Sequence, residues 1–173
     1  MTQIVASLAE ISDRYDVVFC DLWGCLHNGR IAFPPAVKAL QDFRAKGGTV
    51  VLLTNAPRAR FAVETQLDSI GVPRDCWDVI TTSGDSARSA MFRGAVGEKV
   101  WFIGHPGERK FFEPLTLLED PVDIKTVALD QAEGIVCTGP IDPMADPDVM
   151  RPEFEQAIAR GLKLLCANPD IVV

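Results

Sequence analysis

Val17-Val18-Phe19-Cys20-Asp21-Leu22-Trp23-Gly24-Cys25-Leu26-His27-Asn28-Gly29 is the stretch that decides the reading of this chain. Four apolar residues run without interruption into a carboxylate, and a loop holding two glycines follows. A short, fully apolar run is suited to a central parallel strand, buried on both faces. A carboxylate at the C-terminal tip of such a strand lies where open α/β sheets place their chemistry.

Outward from that segment the chain alternates between helix and strand periodicities. Pro34-Pro35 opens a helix with Val37, Leu40 and Phe43 on one face, and Gly47-Gly48 stops it. Thr49 to Leu53 reads as a second buried strand ending in Thr54-Asn55. Residues Pro57 to Ile70 read as a helix with Phe61, Leu67 and Ile70 among its apolar positions, closed by Gly71. A third strand spans Asp78 to Thr82, and Ser83-Gly84-Asp85-Ser86 leads into another helix. This alternation implies an α/β fold with a doubly wound, Rossmann-like parallel sheet. Gly94 and Gly97 then break the pattern. Strands at Val100 to Ile103, Gly134 to Thr138 and Leu162 to Ala167, with helices at Glu108 to Leu115 and Asp148 to Arg160, describe a second α/β lobe. The expected division is residues 1–88 and residues 89–173. Between the later elements, Gly139-Pro140-Ile141-Asp142-Pro143 reads as a loop rich in helix and strand breakers.

Composition narrows the function classes. The chain has 173 residues, a net charge of −7 and 47% hydrophobic residues, with an isoelectric point near 4.8. Such acidity argues against general affinity for nucleic acid or anionic membranes. No apolar stretch is long enough to span a bilayer, and the N-terminus does not read as a signal peptide. The five cysteines (Cys20, Cys25, Cys76, Cys137 and Cys166) show no C-x-x-C spacing. Reduced thiols in a cytoplasmic protein are the simplest reading, with Cys20, Cys137 and Cys166 buried as small hydrophobes in strands.

Asp21-Leu22-Trp23-Gly24 resembles the first motif of the haloacid dehalogenase superfamily. Thr54, at the end of the second strand, is similar to its second motif. Together with Thr82-Ser83-Gly84 and Ala167-Asn168-Pro169-Asp170, these segments resemble the class IIA branch of sugar-phosphate, nucleotide and 4-nitrophenyl phosphatases. The resemblance implies that residues 1–88 are the N-terminal part of the core and residues 89–173 an inserted α/β cap. It implies Asp21 as nucleophile and as a ligand to Mg²⁺, with the backbone carbonyl of Trp23 as a second ligand. Thr54, Asn55 and Gly24 would bind phosphate, and Asn168 and Asp170 in the cap would contact a small phosphorylated metabolite. A homodimer is one assembly the branch allows.

Two departures qualify the resemblance. The superfamily's usual second aspartate, a general acid, is replaced by Trp23, whose indole neither donates a proton readily nor offers a base. The loss of general acid–base help is typically worth ~10²–10⁴ in rate. His27 reads first as an exposed loop residue and second as a substitute proton donor. The third and fourth motifs, a lysine and an acidic loop, are not found before Val173, so a truncated chain with little activity of its own is expected. The competing expectation is a non-catalytic phosphate-ligand-binding or regulatory protein that has lost the acid.

Overall fold

The computed structural model describes residues 4–116, 118–142 and 144–170, with residue 109 described in its backbone alone. Pro143 of the breaker-rich loop and the terminal Val173 lie outside those residues. In chain order the elements are β1 (Val17–Asp21), α1 (Pro34–Ala45), β2 (Thr49–Thr54), α2 (Arg60–Ser69), β3 (Val79–Thr82), α3 (Ser83–Phe92), β4 (Lys99–Ile103), β5 (Lys125–Thr126), β6 (Gly134–Cys137), α4 (Arg151–Ala159) and β7 (Lys163–Cys166). The strands form two parallel sheets, ordered β1-β2-β3 and β5-β4-β6-β7. The fold is α/β with parallel strands joined through helices, as the alternating pattern implied. The two-residue strand β5 had no counterpart in the sequence reading. The helix expected over Asp148 to Arg160 is a 3₁₀ turn at Pro147–Met150 followed by α4, and that expected over Glu108 to Leu115 is a 3₁₀ turn at Glu108–Phe112.

The chain divides into two compact units, one comprising Met1–Thr54 and Arg60–Thr82, the other Asn55–Ala59 and Ser83–Val173. In the first unit the helices cover one side of the sheet. Val37, Leu40 and Phe43 of α1 are buried, as their helical spacing demanded, and Val50, Leu52 and Ile80 are buried on the strands. Each such side chain contributes roughly 1.5–3 kcal/mol relative to exposure. On α2 the buried residues are Val63 and Leu67, whereas Phe61, expected on the apolar face, is exposed. The helix starts at Arg60 rather than Pro57, and Val63 and Leu67, four apart, form its inner stripe.

The expectation that β1 is a fully buried central strand is corrected. It is an edge strand of its sheet, pairing only with β2 among the described residues. Val17 and Phe19 are exposed, and their register brings Phe19, Val51 and Val79 into one row. Phe19 retains 67% of its accessible surface. The sheet therefore has one covered face and one apolar face that no described residue covers. An all-apolar run records that both faces are suited to burial, not that both are covered within these residues.

At the opposite end of the strands Asp78 holds the first sheet to α1. Its carboxylate accepts hydrogen bonds from Arg44 (Nε at 3.0 Å, Nη2 at 2.6 Å) and from the Val50 backbone N–H at 2.8 Å. Arg44 first, and then the Val50 N–H, hold the Asp78 carboxyl below the usual carboxylate range. A carboxyl whose folded pKa is depressed stabilises the fold above its unfolded value and loses that contribution as pH falls through the folded one. Urea titrations between pH 5 and pH 2 are expected to show part of the acid destabilisation vanish in Asp78→Asn. An unchanged acid limb would exclude Asp78 as a contributor.

The second unit has two apolar clusters. Met91, Phe92, Val100, Phe111 and Val136 form the centre of one, and Ile103, Ile135 and Ala157, with Trp101 and Phe154 packed on them, form the other. The segment 55–59 belongs to this unit because it is tied to the start of α3. The Ser83 hydroxyl donates to the carbonyls of Asn55 (2.7 Å) and Ala56 (3.0 Å), and the Gly84 N–H donates to Ala56 O at 3.1 Å. Gly84 has a positional reason. A Cβ there would stand 2.3 Å from the Arg58 carbonyl oxygen, so any other residue would push the segment away.

Candidate functional site

The first group of candidate residues lies at the C-terminal tips of β1 and β2. In the register Asp21 is opposite Leu53, so Thr54 stands one residue further along the neighbouring strand. Paired strands lie about 4.7–4.9 Å apart, so these tips are adjacent. Asp21 is exposed, and one of its carboxylate oxygens, Oδ1, accepts the Leu22 N–H at 2.7 Å. The aspartate thus caps its own turn while remaining open to solvent. Thr54 is buried and pairs in register with Thr82, also buried.

The loop after Asp21 is built around Trp23 and His27. The His27 N–H donates to Leu22 O at 3.1 Å, and the Gly24 N–H donates to His27 O at 2.9 Å. These two bonds make a bridge between residues 23 and 27 that uses neither the N–H nor the carbonyl of Trp23. Gly24 adopts a φ of 77° within this turn. The indole of Trp23 meets the His27 ring edge-on, with centroids 6.0 Å apart, and lies over Gly29, where a Cβ would approach the ring to 2.3 Å. Trp23 nonetheless keeps 67% of its surface exposed. Its ring both packs on the loop and presents an aromatic face to solvent.

His27 corrects an expectation. It is buried, not an exposed loop residue, and its Nδ1 accepts the Gly29 N–H at 2.9 Å. An acceptor at Nδ1 implies the neutral tautomer with hydrogen on Nε2. His27 therefore orders the loop through that bond.

The second group of candidate residues lies in the other unit, at the end of β7. The Asn168 side-chain oxygen accepts the Asp170 N–H at 2.9 Å, an Asx turn across Pro169. The Asn55 amide donates to the Asp170 carboxylate, joining residues 115 apart in the chain. Asn168 is buried, and its Nδ2 has no hydrogen-bond partner among the described residues. At the end of the neighbouring strand β6, the Thr138 hydroxyl donates to Glu108, and Gly104 leaves the space that this hydroxyl occupies. Neither Thr138 nor Glu108 carried any motif that would have singled it out.

A divalent cation of the Mg²⁺ kind takes hard oxygen ligands and commonly uses one or two carboxylates, with water and substrate oxygens completing its shell. The Asp21 carboxylate and the Trp23 carbonyl, left out of the loop's bridge, are donors of that chemistry. Among the described residues there is no cluster of three or more His, Cys, Asp or Glu side chains able to hold a metal. The donors present fit such an ion but supply only part of its shell.

An exposed aspartate at the tip of an edge strand, a threonine at the next tip and a parallel α/β scaffold are the arrangement that the resemblance of the sequence implied. The chain matches the family of haloacid dehalogenase-like hydrolases over residues 18–117, and it belongs to that family. A haloacid dehalogenase-like hydrolase from Brucella suis is similar to it with 38% identity and a TM-score of 0.85, the match covering 98% of this chain and 62% of that one. A 4-nitrophenylphosphatase from Thermotoga maritima shares the fold at 17% identity and TM-score 0.66, over 92% of this chain and 57% of that one. A glycerol phosphate phosphatase from Mycobacterium tuberculosis, solved with magnesium, does so at 24% identity and TM-score 0.64, over 92% and 46%. No curated protein sequence matches the chain. The chain thus spans about three fifths of the Brucella protein's length or less of each of these relatives.

Proposed function

We propose that the protein acts as a Mg²⁺-dependent phosphatase of the class IIA type on a small organic phosphate, with Asp21 as nucleophile. The observation that carries this reading is the exposed Asp21 carboxylate at the tip of β1, beside the tip of β2 that bears Thr54. One carboxylate oxygen would attack phosphorus to give an aspartyl-phosphate, and water would then hydrolyse it. The Leu22 N–H already occupies Oδ1, so Oδ2 would be the oxygen available for attack. Thr54 and Asn55, with the loop at Gly24, would hold phosphoryl oxygens, where developing charge needs fixed donors. A cation held by Asp21 and the Trp23 carbonyl would offset the negative charge of substrate and nucleophile. In this reading residues 89–173 are the cap, and the Asn168-Pro169-Asp170 turn would contact the substrate's organic part. That two of the fold neighbours are phosphatases, one of them solved with magnesium, supports the reading.

Trp23 sets the character of the chemistry. With tryptophan at position 23, where the superfamily usually has its general acid, leaving groups of low pKa are favoured over alkyl alcohols. In the full protein, Trp23→Asp is expected to raise kcat on an alkyl phosphate by about 10²–10⁴, with a smaller gain on an aryl phosphate. Equal rates for the two proteins on alkyl phosphate would remove the acid deficit from the account. If the natural protein has no turnover on either substrate and Trp23→Asp creates it, the protein is a phosphate-ligand binder that kept the fold.

A further inference from the structure

β6 and β7 are parallel neighbours whose register ends on Cys137 opposite Cys166. Directly paired residues of adjacent strands project to the same face, so the two thiols share one side of the sheet. Their Cα separation follows the strand spacing of about 4.7–4.9 Å, inside the 4.4–6.8 Å range that a disulfide spans. The sequence reading took both as buried small hydrophobes. Instead Cys166 is exposed and Cys137 half-buried, and all five cysteines are free. Burial and then the neighbouring Cys166 push the Cys137 thiol up. The other cysteines are placed differently. Cys20 pairs in register with Leu52, Cys25 is exposed in the loop after β1 with no cysteine opposite it on a paired strand, and Cys76 is wholly buried.

We propose that Cys137 and Cys166 are a redox-active dithiol that a low-molecular-weight disulfide converts to a cross-strand disulfide at the C-terminal edge of the second sheet. The exposed Cys166, as thiolate, attacks one sulfur of the small disulfide. That S–S bond breaks, one small thiolate leaves, and Cys166 carries a mixed disulfide. Cys137 then gives its proton to solvent and attacks the Cys166 sulfur, expelling the second small thiolate. Two protein thiols are oxidised by two electrons, and one small disulfide is reduced to two thiols. Thiol-disulfide exchange of this kind depends on access and on the resolving thiol's position, both of which the strand pair provides. The Cys166 Sγ donates to Asn168 O at 3.2 Å and the Cys137 Sγ to Gly139 O at 3.8 Å. Oxidation removes both donors beside the Asn168-Pro169-Asp170 turn. The proposal does not depend on phosphatase activity.

The test is to equilibrate the folded chain with oxidised and reduced glutathione, quench with an alkylating agent and map the cysteines by mass spectrometry. A linked peptide pair carrying Cys137 and Cys166 is expected, with Cys20 and Cys76 still alkylated as free thiols after unfolding. Cys137→Ser should accumulate glutathione on Cys166 without resolution, and Cys166→Ser should slow modification of Cys137 at least ten-fold. Circular dichroism of each variant checks that it is folded. A stable Cys166–glutathione adduct in the native chain, or a Cys137–Cys166 link formed only in urea, would overturn the proposal.

Discussion

Asp21→Asn is expected to lower kcat/KM of the full protein on any phosphomonoester by roughly 10⁴ or more, a loss in the range seen when a covalent nucleophile is removed. Beryllofluoride, which mimics the phosphoryl group on an aspartate, should cease to bind. The substitution is a clean probe because the amide oxygen can still accept the Leu22 N–H that Asp21 Oδ1 accepts at 2.7 Å. Exposure of the side chain means that no buried group is left without a partner. Thermal stability should therefore stay within about 1 kcal/mol of the unsubstituted protein, as is usual for surface positions. Turnover surviving within ten-fold would remove Asp21 from the nucleophile's role. A large fall in stability with partial activity would instead make it a structural cap.

The largest expected effect on stability is at Arg88, a residue that no sequence motif singled out. Arg88 on α3 is 5% exposed, and arginine is almost never buried unless it is paired. Its guanidinium is engaged at three points. Nη1 meets the Asp85 carboxylate at 2.9 Å, Nε donates to the Phe111 carbonyl at 3.0 Å, and Nη2 donates to the Glu113 carbonyl. It thus clamps the 3₁₀ turn at Glu108–Phe112 against α3, beside Met91, Phe92 and Phe111 of the apolar cluster. Removing one partner of a buried ion pair costs about 3–5 kcal/mol, because the groups left behind lose their compensation. Arg88→Ala is expected to fall in that range by urea denaturation. Arg88→Lys should recover only part of it, since an ammonium cannot reproduce the guanidinium's fork. A cost below about 1 kcal/mol for Arg88→Ala would mean that water replaces the three bonds at no loss.

Particular elements show how far local chemistry could be read. Pro34-Pro35 and Gly47-Gly48 bracketed α1 because proline at a helix start and glycine beyond its end act within one turn. The apolar run at Val17 announced a parallel strand, and Asp21 at its tip announced the site, because both depend on neighbours in sequence. The same run was misleading about cover. Whether Phe19 is buried depends on what packs over the sheet, and hydrophobicity alone does not report it. His27 was misjudged for a related reason. Its burial and its bond to the Gly29 N–H arise from the loop folding back on itself. Arg88 left only an i,i+3 trace with Asp85, a pairing common on solvated helices, so its buried carbonyl partners were not legible.

The amino-acid sequence by itself determined the parallel α/β architecture, the family, the candidate nucleophile and the absence of an acid at position 23. All of these rest on residue type and short-range spacing. Tertiary structure alone decided which of the candidate residues meet. It brought Asn55 to Asp170 and Cys137 to Cys166, put Arg88 against two backbone carbonyls, and left Phe19 on the first sheet exposed. Such contacts follow from strand register and packing between segments tens to more than a hundred residues apart. Periodicity reports which side of an element is apolar; register and packing select the partner that side meets.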